Sequence, residues 1–149
     1  MEIFISSLID FIDKYYHQKN INNKLIDLNL KNAIDIGAHK GEFLSSIISI
    51  NKRIKVHSFE PQLTICKKLK SKFKNYKNIF IYNLAISNVN KKKKLNINIK
   101  TSTSTFSSYN KNSYWKKIKD FLLTGSNKSS FIGYEIVNSI TLDNFFKKK

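Results

Sequence analysis

The sequence predicts a three-layer α/β fold with a mostly parallel sheet and an added antiparallel strand pair. Three observations predict it. The apolar run Ala33-Ile-Asp-Ile36 ends on Gly37, and Gly41 then opens a helix carrying Phe43, Leu44, Ile47 and Ile48 at helical spacing. Arg53–Phe59 repeats the plan: a β-branched run ends on Glu60-Pro61, and a helix follows with Leu63, Cys66, Leu69 and Phe73 on one side and lysines on the other. Ile79–Tyr82 supplies a third strand. Strands alternating with helices in this order build a parallel sheet covered by helices.

The remaining elements are read in the same way. Pro61, the one proline, is expected in the first turn of the second helix, where a missing amide donor costs nothing. Leu95-Asn-Ile-Asn-Ile99 alternates as a half-buried strand, and Glu135–Ile140 is its expected partner. The lysine run Lys91–Lys94 is placed in a turn, and Tyr114, Trp115, Phe121 and Leu122 form an aromatic helix-like segment. Ile3 to Tyr16 reads as an amphipathic helix packed on the domain or supporting a dimer. The chain thus divides into an N-terminal helical segment (1–32), a βαβαβ core (33–90), and a strand pair with a Ser/Thr-rich and aromatic insertion (91–149).

Composition narrows the class. A chain of 149 residues that is 41% hydrophobic and 13% aromatic has material for one packed domain and is not disordered. The formal charge of +17 invites a nucleic-acid reading, but only one of the 27 basic residues, Arg53, is arginine. No arginine fork for bases or phosphates can be built, so nucleic acid is expected to bind only non-specifically, at low salt. No apolar stretch reaches the ~20 residues of a membrane span, and no basic start precedes the N-terminal apolar run as in a signal peptide. The single cysteine, Cys66, allows no disulfide within the chain, and a reduced, cytoplasmic protein is the expectation.

The chemistry concentrates at the strand ends. Gly37 lets the backbone turn sharply and approach a ligand where a β-carbon would intrude. A dinucleotide fingerprint would read G-x-G-x-x-G, but His39 stands at the middle glycine position. Asp35 is an acid inside an apolar strand and needs polar partners if buried. Glu60, at the end of the second strand, is placed to accept hydrogen bonds from ribose hydroxyls. His17 is read as a surface residue and His57 as a packed, hydrogen-bonded strand residue. No His/Cys/Asp/Glu set has metal-ligand spacing, so no metal is expected, and no nucleophile-elbow pattern occurs.

Taken in order, Asp35-x-Gly37-Ala38-x-x-Gly41, Phe59-Glu60-Pro61, Asn83-Leu-Ala-Ile-Ser87 and Thr141-Leu142-Asp143 resemble the FkbM family of S-adenosylmethionine-dependent methyltransferases. The resemblance runs from about Ala33 to Phe146. It implies a Rossmann-like class I methyltransferase fold. It also implies that Asp35, Gly37, Ala38, His39 and Gly41 surround the methionine part of S-adenosylmethionine, that Glu60 binds its ribose, and that Asn83 and Leu84 lie near its adenine. His39 would touch the cofactor's carboxylate end. Family members are mostly O-methyltransferases of sugars, glycans or polyketide-like products, so a small-molecule or glycan hydroxyl is the implied acceptor. A Ser/Thr loop on the substrate side makes Ser104, Thr105 and Ser107 candidates for acceptor contact; a plain surface loop is the competing reading.

The family pattern continues past Thr-Leu-Asp into a further parallel strand with a Lys-x-Asp-x-Glu-Gly-like motif, which this sequence lacks. The fold is therefore expected to be incomplete, and no catalytic residue is assigned. Without later strands beside it, Ala33–Ile36 would be an exposed edge, open to self-association or to a partner chain. Two functions remain open: the cofactor-binding portion of an O-methyltransferase, truncated and inactive alone, or a non-catalytic basic module for anionic glycan or nucleic acid. Glu60 favours the first, because a ribose acid has no use in a polyanion binder.

Overall fold

The computed structural model describes residues 24–25, 29–107, 113–126 and 128–147. Strands β1 (Asn32–Ile36), β2 (Lys55–Phe59) and β3 (Ile79–Tyr82) form a parallel sheet in the order β1-β2-β3. Helices α1 (Glu42–Ile50) and α2 (Leu63–Lys72) make the two crossovers. Register follows the period-two alternation of strands. Ala33, Val56 and Ile79 stand side by side on one face, with Asp35, Ser58 and Ile81 further along it. Ile34, His57 and Phe80, then Ile36, Phe59 and Tyr82, line the other.

The first face packs on both crossovers. Leu44, Ile47 and Ile48 of α1 and Leu69 of α2 close over Val56 in one buried cluster, which Ile54 and Phe73 extend. Cys66 of α2 is buried too, and its burial pushes the thiol pKa up, as suits a packing residue. The opposite face is aromatic. Phe145, from α4 (Leu142–Lys147), meets Phe59 edge-on at 4.9 Å and Tyr82 at 4.7 Å, the geometry that ring quadrupoles favour. His57 stacks between strands against Phe80 and Tyr82 and shares a hydrogen bond with the Tyr82 hydroxyl, so it is the packed residue expected. Helices thus lie on both faces of the parallel sheet, giving three layers.

The second half forms a smaller sheet, β4-β6-β5. Strand β5 (Lys92–Asn98) runs antiparallel to β6 (Phe131–Ile140), as expected, and β4 (Ala85–Ile86) adds to β6 in parallel. Two sequence expectations need correction. Lys92–Lys94 belong to β5 and are not a turn: their backbone pairs with Asn138, Val137 and Ile136. The ammoniums of Lys93 and Lys94 lie over the rings of Phe106 and Tyr134, which gives these lysines a place in a strand. Pro61 precedes the N-cap residue Gln62, so it enters the turn before α2 and not its first turn. In α3 (Tyr114–Thr124), Trp115 and Tyr114 are exposed, and the buried side is Asp120 and Thr124.

That polar side has its own logic. Burial alone would raise the Asp120 carboxyl, but the Lys116 ammonium and the hydroxyl and amide of Ser130 outweigh it and hold its pKa low. The network ties α3 to the start of β6. The expected amphipathic helix at Ile3–Tyr16 and His17 lie outside the described residues. Among the described residues no helix is long and apolar enough to cross a membrane, and no His/Cys/Asp/Glu group could hold a metal ion. β1 is the outer strand of its sheet, and Ile34 and Ile36 on its aromatic face are 43% and 55% exposed.

Candidate cofactor site

The carboxyl ends of β1, β2 and β3 are knitted together by backbone hydrogen bonds. The amides of Gly37 and Ala38 both donate to the Phe59 carbonyl, at 2.9 and 3.1 Å, and the Glu60 amide donates to the Tyr82 carbonyl at 3.0 Å. Open parallel sheets place ligands at this end, where helix entries and strand ends converge.

The turn after β1 alternates into the left-handed region three times: Gly37 at φ 81°, His39 at φ 45° and Gly41 at φ 77°. His39 therefore keeps a glycine-like backbone at the position where a dinucleotide fingerprint has its middle glycine, a conformation histidine adopts uncommonly. The two glycines do different work. A β-carbon at Gly37 would meet nothing within 4 Å, so its bare backbone faces open space. One at Gly41 would sit 2.6 Å from both Leu69 Cδ1 and Phe73 Cε2, so Gly41 lets α1 begin against α2.

Glu60 is the centre of the arrangement. It is 2% exposed, and its two carboxylate oxygens accept different backbone amides: His39 N–H at 2.9 Å and Gln62 N–H at 2.8 Å. One acid thus holds the glycine turn and the entry to α2 together. Asn83, expected near an adenine, directs its side-chain amide at the carbonyls of Glu60 and Pro61, at 3.0 and 2.8 Å. Leu84 beside it is half-buried, and Ala38 is buried in the core.

Asp35 is buried on the same face as Ser58, whose hydroxyl donates to it at 3.0 Å. Burial pushes its carboxyl up to about 6; the Ser58 bond lowers it in part, and the charges of Glu42 and Glu60 raise it further. The folded chain therefore holds this proton more tightly than the unfolded chain. Stability from Asp35 is greatest below the unfolded pKa and falls as pH rises through about 6. Asp35→Asn should be more stable than the parent at pH 7, by on the order of 3 kcal/mol at most, and should lose this advantage towards pH 4. Urea titrations of both proteins at the two pH values check this; an advantage independent of pH would sink it.

Thr101 is a residue the sequence reading missed. It opens the 3₁₀ turn Thr101–Thr103 after β5. Its hydroxyl lies 2.7 Å from His39 Nε2, and its carbonyl accepts the Gln62 side-chain amide at 3.2 Å. It therefore bridges the two residues whose backbone amides hold Glu60. No local pattern marks such a residue, because its partners lie 62 and 39 positions away. The loop candidates are tied to β5. Ser104 Oγ accepts the Asn98 amide, Thr105 makes a backbone bridge with Asn96, and the Ser107 carbonyl accepts the Asn96 side chain.

The residues fit a cofactor of the kind the resemblance implies. The open backbone at Gly37 is a cradle that a β-carbon would fill, and each Glu60 oxygen keeps acceptor capacity beyond its one amide.

Comparison with solved structures finds a Staphylococcus aureus protein proposed to be a caffeoyl-CoA O-methyltransferase, 22% identical, with a TM-score of 0.42, covering 52% of this chain and 42% of that one. It also finds a SAM-dependent methyltransferase from Aquifex aeolicus, 19% identical, with a TM-score of 0.42, covering 61% of this chain and 49% of the other. The chain spans less than half the length of either. No curated protein matches the sequence. The family model for the methyltransferase FkbM domain matches residues 35–149, from the acid inside β1 through both sheets, and the chain belongs to that methyltransferase family.

Proposed function

We propose that the chain binds S-adenosylmethionine across the carboxyl ends of β1–β3 and takes part in methyl transfer to a hydroxyl of a sugar, glycan or secondary metabolite. The observation that supports this most is the buried Glu60 carboxylate, joined through His39 to the glycine turn beside the open backbone of Gly37. In this reading Gly37 admits the methionine part, Glu60 accepts from ribose hydroxyls, and Asn83 with Leu84 borders the adenine. The bonds that Asn83 gives to Glu60 and Pro61 make it a brace for that border. Bound S-adenosylmethionine supplies an electrophilic methyl on a sulfonium. The protein's part is to hold an acceptor oxygen in line and to exclude water, and positioning of this kind carries much of such a barrier. No residue is assigned as a base. The lone, buried thiol of Cys66 suits a reducing cytoplasm.

Calorimetric titration with S-adenosylhomocysteine tests the reading. Saturable binding is expected, and Gly37→Ala should weaken it about tenfold, because a methyl would enter the space left for the ligand. Absence of binding by the folded chain would remove the cofactor reading. It would leave the second one, a basic α/β module for anionic ligands, supported by the +17 charge.

A further inference from the structure

Beside the glycine turn lies a cleft of about 580 Å³ that shares only His39 with the residues of the cofactor reading. One wall is a stripe of α2, where Lys68 and Lys72 stand one helical turn apart above Ile65 and Leu69. The other wall comes from the second sheet and its turn, with Ile97, Thr101 and Glu135. The end is closed by His39 and Lys40 of the β1–α1 turn. A concavity of this volume, with an apolar floor and a few polar groups at its rim, is the usual form of a small-molecule site.

Its charge is one-sided. Lys40, Lys68 and Lys72 all line it, and the Lys72 ammonium, over the Phe73 ring, donates to the Lys40 backbone carbonyl at 2.9 Å. Glu135 is the sole carboxylate in the lining, and it accepts the Leu63 amide at the start of α2. Among the described residues no ion pair links these lysines to an acid. Like charges one turn apart on a helix repel, and a bound anion would relieve that cost.

We infer that this cleft holds the acceptor and grips it by an oxyanion: the substrate class is a small hydroxylated molecule carrying a phosphate or a carboxylate. The inference rests on the methyltransferase reading for the word acceptor. It rests on the cleft alone for the anion. Thr101 and His39 form the boundary between the two sites, since both line the cleft and both adjoin the residues around Glu60. The cleft ends at the glycine turn, so a ligand bound in it lies beside the residues of the cofactor reading.

The test titrates the full chain at fixed salt with glucose 6-phosphate, glucuronate, glucose and inorganic phosphate, and in parallel with S-adenosylhomocysteine. Either sugar anion should saturate and bind at least about tenfold tighter than glucose or inorganic phosphate; the stronger of the two identifies the anion. The Lys40→Gln/Lys68→Gln double variant should weaken that binding about tenfold or more, as expected for lost charge-assisted hydrogen bonds. A charge-matched control, Lys67→Gln/Lys74→Gln, removes two lysines outside the cleft and should change it less than about threefold. Equal weakening by both doubles, or inorganic phosphate binding as tightly as the sugar anions, would overturn the site in favour of diffuse attraction to a basic surface. No saturation by either sugar anion would overturn it too. Sugar-anion binding without S-adenosylhomocysteine binding would keep the anion site and remove the cofactor reading. The reverse would keep that reading and remove this inference.

Discussion

Glu60→Ala is expected to destabilise the chain by about 2–6 kcal/mol, because it leaves the part-buried amide of His39 and the buried amide of Gln62 without acceptors at about 1–3 kcal/mol each. Domains of this size have only about 5–15 kcal/mol in total, so the loss would be visible as a large drop in denaturation midpoint. Glu60→Gln keeps one carbonyl oxygen, can satisfy one of the two amides, and should lose about half as much. Urea unfolding of the three proteins checks this. A loss below about 1 kcal/mol for the alanine variant would mean that water replaces the carboxylate, and the acid could not then be the clamp that joins the two turns. The clamp also predicts a functional readout. Glu60→Gln, still folded, should bind S-adenosylhomocysteine at least about tenfold more weakly, through a disturbed glycine turn and a poorer acceptor for ribose hydroxyls.

Gly41→Ala should be destabilising for two additive reasons. Alanine at φ 77° carries the left-handed penalty of about 1–2 kcal/mol, and its methyl would press on Leu69 and Phe73 in the core, an overpacking cost of about 1–3 kcal/mol. Gly37→Ala has the same kind of backbone penalty but meets no neighbour, so it should lose only the first part. The two variants therefore separate by their packing term. Thermal and chemical unfolding should rank parent, Gly37→Ala, Gly41→Ala in falling stability. Ligand titration should single out Gly37→Ala as weakened for its stability, because its methyl enters ligand space. Equal stability of the two variants would show that α1 can shift away from α2, against the close contact at Leu69 and Phe73.

Much of this architecture was legible in the residues. The three parallel strands, both crossovers and the β5–β6 pairing follow from short apolar runs, helical spacing and alternation, all local patterns that tertiary structure only has to accept. The places of Gly37 in the turn after β1 and of Glu60 at the end of β2 were legible as well, because glycine turns and strand-end acids occupy set positions in such units. Other features left no local trace. The lysines of β5 look like a turn from composition, yet they pair with β6, and two of them rest on aromatic rings from elsewhere in the chain. The two-residue strand β4 exists because β6 passes beside it. The aromatic helix-like segment became α3, but that its buried side is polar, held by Asp120 with Lys116 and Ser130, left no local trace.

By itself the sequence determined the order of elements, the glycine turn, the acid at the end of β2 and the family. These depend on backbone conformation and residue spacing, which neighbours in the chain specify. Only the tertiary structure decided that Glu60 holds two turns with its two oxygens, that Gly41 serves packing while Gly37 faces open space, and that Thr101 closes the boundary with the lysine-lined cleft. Those facts are distances between residues far apart in the chain, and such distances are set only when α2, the glycine turn and the second sheet pack together.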